Sequence, residues 1–138
     1  ALANVVVEKS DVLLNITGVS VCRSAVVLPD ILPARVNQHV CIIRPVKSKL
    51  NSTYLLHCLI SGNYKKMILT LAGAGGATRE ALTKKQVENL GIPVPPIELQ
   101  NKFAEIESRM KKIKKANSDF SARPLFEVLT QRAFRGEL

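Results

Sequence analysis

The segment Arg35-Val36-Asn37-Gln38-His39-Val40 gathers hydrogen-bonding side chains directly before an apolar run. An Arg can read a guanine edge with two hydrogen bonds, and an Asn or Gln an adenine edge, so these are the side-chain types that direct base readout uses. The same groups can hold a loop to a sheet, and the segment by itself leaves both uses open. A second stretch, Gly73-Ala74-Gly75-Gly76-Ala77-Thr78, crowds glycines together and is followed by the cation Arg79. Backbone without Cβ atoms can approach a ligand closely, and a cation beside it suits a phosphodiester; a plain structural turn explains the glycines equally well. The stretch lacks the Lys-Ser/Thr pair of a phosphate-binding P-loop, and no parallel-type strand leads into it, which argues against a nucleotide site.

Constellations for catalysis are missing from the pattern. His39 and His57 are far apart in sequence and have no carboxylate near them, which argues against metal binding and acid–base work. Cys22, Cys41 and Cys58 form no CxxC pair and sit among apolar neighbours, the habit of small buried hydrophobes in a reducing compartment. No serine occupies a Gly-x-Ser-x-Gly elbow, and no carboxylates pair at active-site spacing. With no Trp, and only Tyr54 and Tyr64 as tyrosines, there is no aromatic cluster to grip a flipped adenine. The sequence predicts a chain with no catalytic residues, no metal and no cofactor.

The elements that would carry these residues differ along the chain. Val5–Val7, Asp11–Asn15, Ala25–Leu28 and Val40–Arg44 are short β-type runs separated by turn residues, too short for their pairing to be assigned. Asn51-Ser52-Thr53 offers an N-cap to a helix whose apolar positions are Leu55, Leu56, Leu59 and Ile60, with Gly62 as its stop. A second helix is expected from about Asn63 to Leu71. Thr83-Lys84-Lys85-Gln86 matches a capping box, opening a short helix that ends at Leu90-Gly91. Three prolines then force Ile92–Pro96 to be extended.

From Leu99 the apolar positions run Leu99, Phe103, Ile106, Met110 and Ile113, alternating steps of four and three, with charged faces between them. Such a stripe is expected to face a partner helix, on an arm of about 20 residues spanning roughly 30 Å. It continues to Phe120, and Leu125, Leu129 and Ala133, flanked by Phe126, suggest a shorter closing helix. The expected organisation is α+β: a small mixed domain over 1–96, then a helical coiled-coil arm over 97–138.

Lys and Arg number 20 against 11 Asp and Glu, a net charge of +9 that favours a polyanionic partner. The first 100 residues hold 11 basic and 6 acidic groups, so the excess lies on the mixed domain as well as on the arm. Arg23, Arg35, Asn37, Gln38 and Arg79 are the residues expected on or beside a DNA-facing surface. No apolar run is long enough to span a membrane, and no signal peptide is visible, which suggests a cytoplasmic chain. The start within the run Val5–Val7 reads as a piece cut from something longer.

Four motifs in order carry a resemblance over nearly the whole chain. They are Asp11–Gly18 with Arg23 and Ala25–Val27; Leu32-Pro33 with Val36–Val40; Gly76–Thr83 with Leu90–Pro96; and the heptad arm with Gln131–Leu138. Together they resemble the distal half of a target recognition domain, with its conserved helical region, of the specificity subunit of type I restriction–modification enzymes. The resemblance implies a subunit without catalytic residues. It implies that each recognition domain reads one half of a split double-stranded DNA target, and that helical regions pair as a coiled coil that sets the separation. Modification (adenine methyltransferase) subunits would dock on it, and restriction subunits through them. The arm would meet a second recognition half or a second copy of the chain. The competing expectation is an assembly fragment that binds protein through residues 97–120 and touches no DNA.

Overall fold

The computed structural model of the chain describes residues 6–73 and 81–121, with side chains described through residue 118. Three of the four expected β runs form one antiparallel sheet: β1 (Val12–Asn15), β2 (Ser24–Val26) and β3 (Val40–Ile43), in the order β2-β1-β3. Val12 lies opposite Val26 on one side and Ile43 on the other, and Asn15 opposite Val40. Of the run at Val5–Val7, the described residues Val6 and Val7 do not join this sheet. Val6 makes an isolated bridge with Arg35, and its carbonyl accepts from Arg44 Nη2 at 3.3 Å, so this polar group is met without a ladder.

Central β1 shows the two-residue alternation expected of a strand with one covered face: Val12 and Leu14 are fully buried, Leu13 and Asn15 only partly. Helices α1 (Ser52–Ile60) and α2 (Gly62–Gly73) supply Leu55, Leu59, Ile68 and Ala72 to the core that contains Val12 and Leu14. Val21, Cys22 and Leu82 close it. Each such Val, Leu or Ile contributes about 1.5–3 kcal/mol by leaving water. An antiparallel sheet packed with helices is an α+β fold, as expected.

Local chemistry sets the helix ends. Asn51 Oδ1 accepts from the backbone of Thr53 (2.9 Å) and Tyr54 (3.2 Å), capping α1. Gly62 is not the stop expected of it: it opens α2. Extended Ser61 ends α1 instead, its N–H bonding to His57 O and Cys58 O and its hydroxyl donating to Cys58 O at 2.9 Å. The capping box of α3 (Lys84–Glu88) is complete, with Gln86 N–H donating to Thr83 Oγ1 and Thr83 N–H donating to Gln86 Oε1. This helix ends at Glu88, before Leu90-Gly91, and Leu90 N–H closes an i→i−3 bond on Val87 O that tightens its last turn. Tyr64 and Tyr54 then hold the proline-rich stretch by donating to Gly91 O (2.6 Å) and Pro93 O (3.1 Å).

The last described element is α4 (Ile97–Ser121). By its contacts the chain divides into two units, Ala1–Asn101 and Lys102–Leu138. In the first, Gln100 is fully buried at the start of α4. Its Oε1 accepts from Asn51 N–H at 2.9 Å, and its Nε2 donates to Lys49 O at 3.0 Å and Pro95 O at 2.7 Å. Asn51 Nδ2 also donates to Asn101 Oδ1 at 2.9 Å, tying the cap of α1 to the same turn. In the second unit, α4 carries an i,i+4 pair from Lys111 to Glu107 at 2.6 Å. The glycine stretch after Gly73 and the expected closing helix around Leu125 lie outside the described residues. Among the described residues no helix is long and apolar enough to cross a membrane.

Candidate nucleic-acid interface

The C-terminal end of β1 is where the sheet collects most of the side chains of interest. Asn15 N–H donates to Arg23 O at 2.8 Å on one side, and Ile16 N–H donates to His39 O at 2.9 Å on the other. Thr17 bridges to Ala81, and Leu82 N–H donates to Ile16 O at 2.8 Å, so the chain leaving the glycine stretch returns to this same end. Thr17 Oγ1 and His39 Nδ1 are 2.8 Å apart, joining two of these strands of chain by side chains. Arg23, Gln38 and His39 are exposed there.

The local turns explain how Arg23 is presented. Gly18 has φ +69, in the left-handed region that glycine enters without cost, and a Cβ there would meet nothing within 4 Å. Conformation, not space, is the reason for glycine at this position. A single 3-10 turn over Gly18–Ser20 follows, after which Val21 and Cys22 turn into the core and Arg23 points out. Arg23 N–H donates to Ser20 O at 3.1 Å, which holds the turn closed.

The Arg35–His39 segment runs from a bridge with Val6 into the turn that opens β3. Arg35 is exposed, but its backbone pairs with Val6, toward the end of the sheet where Asp11 meets Arg44. Asn37, two residues further on and so at most about 7 Å from Arg35 along the chain, begins with Gln38 the turn into β3. Asn37 Oδ1 accepts from His39 N–H at 3.0 Å, so its amide oxygen already serves the turn. Bidentate reading of an adenine by Asn37 would use the second lone pair of that oxygen together with the amide N–H. Arg79 lies outside the described residues.

Two further features escaped the sequence pattern. An open hollow of ≈ 830 Å³ lies between the Gly18–Ser20 turn and α2, lined by Val19, Arg23, Ser24, Ile60, Lys65 and Leu69 above the buried Val21 and Cys22. Lys65 sits on a helix face with no local signal that would have singled it out. At the other end of the sheet, Asp11 is buried and receives Arg44 Nε (2.8 Å) and Nη2 (2.9 Å) together with Glu8 N–H (2.7 Å). The Arg44 hydrogen bonds hold the Asp11 carboxyl below its ordinary pKa, aided by Glu8 N–H and opposed by burial. Asp11 is therefore a structural anion.

A second hollow, ≈ 370 Å³, is lined mainly by Cys41, Ile43, Leu50, Leu55, Val87 and Leu90, and suits apolar contact rather than catalysis. Burial pushes the Cys22 and Cys41 thiols up, away from the thiolate form that a nucleophile needs. Among the described residues no group of three or more His, Cys, Asp or Glu could hold a metal ion. On α4 the stripe Leu99, Phe103, Ile106, Met110 and Ile113 is solvent-facing, each residue at least 38% exposed.

Residues 4–119 match the family model described as type I restriction modification DNA specificity domain. No curated protein matches the sequence.

Proposed function

Because the chain belongs to the family of type I restriction modification DNA specificity domains, we propose that it reads one half of a bipartite double-stranded DNA target and docks the methyltransferase subunits of the complex. The family match over residues 4–119 carries this reading. The exposed Arg23, Arg35 and Gln38 and the net charge of +9 support it physically. Cations neutralise phosphates and set affinity, while Arg, Gln and Asn side chains discriminate bases. The chain itself supplies recognition, and methyl transfer and cleavage belong to its partner subunits.

The division of labour follows the chain. Residues 1–96 form the recognition domain, with Arg23, Arg35, Asn37, Gln38 and Arg79 on or beside the DNA. Residues 97–138 form the coiled-coil arm, where Leu99, Phe103, Ile106, Met110 and Ile113 meet a helix of a second recognition half or of a second copy.

Salt-titrated binding to duplex DNA tests the reading. The 138-residue chain is expected to lose affinity linearly on a log–log plot against salt, because bound phosphates release counterions. Arg35→Ala is expected to cost about 1–3 kcal/mol and to relax specificity at one base position. A wild-type chain that binds protein partners through α4 but shows no salt-dependent affinity for duplex DNA would leave the assembly-fragment reading in its place.

A further inference from the structure

We infer that the hollow between the Gly18–Ser20 turn and α2 is a DNA-contacting surface, with Val19 against a thymine methyl group and Arg23 and Lys65 on flanking phosphates. The inference rests on the reading of the chain as a duplex-DNA binder, and it adds a specific surface and two residues to it.

Val19 is 105% exposed, which by itself decides nothing, since single exposed apolar residues are common. Its setting is more informative. The turn that carries it is rigid for its size: Gly18 has φ +69, Val21 N–H donates to Gly18 O at 3.0 Å, and Arg23 N–H donates to Ser20 O at 3.1 Å. Directly after it, Val21 (5% exposed) and Cys22 (3%) are embedded in the core, and Cys22 is held at φ 74, a conformation uncommon outside glycine. The chain therefore presents one apolar side chain on a short, anchored tip.

Among the described residues, the same hollow is lined by two cations and no acid. Arg23 comes from the strand side and Lys65 from α2, and among the described residues neither takes part in an ion pair. Two cations with no ion-pair partner among the described residues, flanking an apolar tip, match the chemistry of a duplex edge. Phosphates lie on either side of the major groove, and the thymine C5 methyl is the apolar group that the base pairs present there. Ile60 and Leu69 give the hollow an apolar wall, with no anion among its described lining residues.

The test uses the 138-residue chain, a labelled duplex of random sequence for affinity, and a randomised duplex pool for preference. Arg23→Gln and Lys65→Gln are each expected to weaken binding to every duplex by the same factor and to lower the log–log salt slope by about 0.9. Val19→Ser is expected to leave the slope unchanged. It should flatten a preference for thymine at one position by up to about fifteenfold, the worth of two methyl contacts. All three side chains are exposed, so unchanged thermal transitions are expected alongside. Wild-type binding with normal salt dependence, together with three variants that keep affinity, slope and preference, overturns this surface while the DNA-binding reading stands. A wild-type chain without salt-dependent binding overturns both. Tight binding of poly-glutamate that Lys65→Gln abolishes, with DNA binding intact in that variant, assigns the hollow to an acidic protein and overturns the inference.

Discussion

Replacing Gln100 with Met keeps nearly the same side-chain volume and removes all three hydrogen bonds that this buried residue makes. Asn51 N–H, Lys49 O and Pro95 O each lose a partner at 2.9, 3.0 and 2.7 Å respectively. Each bond contributes about 1 kcal/mol net, and a group left unpaired out of water costs about 1–3 kcal/mol. The three together predict a loss of about 3 kcal/mol, less wherever water reaches the exposed carbonyls. In a unit of this size about 1 kcal/mol moves Tm by about 4–8 °C, so the transition should fall by at least 10 °C or so. Urea denaturation followed by circular dichroism measures the difference directly. Gln100→Glu sharpens the test. It retains an acceptor for Asn51 N–H but sets a carboxylate against Lys49 O and Pro95 O. The charged form is then disfavoured, so the folded-state pKa of the new carboxyl is raised. Its protonated form can donate to one carbonyl, so the variant should recover stability below the unfolded carboxyl pKa of about 4.3 and lose it again as pH rises. A Gln100→Met variant within 0.5 kcal/mol of wild type, or a Glu variant equal to wild type at neutral pH, would refute the assignment of this residue as the polar clasp between the start of α4 and the cap of α1.

Asp11 gives the opposite sign. Its pKa is lowered in the folded chain by the Arg44 hydrogen bonds, so its contribution is present above the unfolded carboxylate pKa of about 3.9 and is lost as pH falls through the lower folded value. The stability gap between wild type and Asp11→Asn should therefore narrow below about pH 4, and a gap independent of pH would reject the ion pair as its source. On the arm, Ile106→Glu should abolish self-association or docking, since each buried knob contributes about 1.5–3 kcal/mol, while the 1–96 domain keeps its thermal transition. Unchanged sedimentation together with unchanged partner binding would sink the coiled-coil proposal.

Features governed by a few adjacent residues are legible in the sequence by itself. The Thr83–Gln86 capping box, the Asn51 cap, the proline-bound stretch before α4 and the helical stripe from Leu99 all depend on donors, acceptors and side-chain spacing within a turn or two. The three β runs were legible as runs, and the family resemblance as four ordered motifs. Helix ends were less so. Ser61, by meeting the last carbonyls of α1 with its own N–H and hydroxyl, displaced the stop expected at Gly62.

What only the tertiary structure decided involves partners distant in sequence. The order β2-β1-β3, the Asp11–Arg44 pair and the burial of Gln100 against Lys49 and Asn51 join groups that no local pattern relates. Asn37 and Arg35 are equivalent as base-reading side-chain types in sequence, yet the fold gives the amide oxygen of Asn37 to a turn and pairs the backbone of Arg35 with Val6. Val19 and Lys65 came together only when α2 packed beside the turn. Spacing along a chain determines which groups share a helix face or a turn, because those distances are set by the backbone repeat. Which strand lies next to which, and which charge is thereby buried or left facing water, is determined by the packing of the whole core.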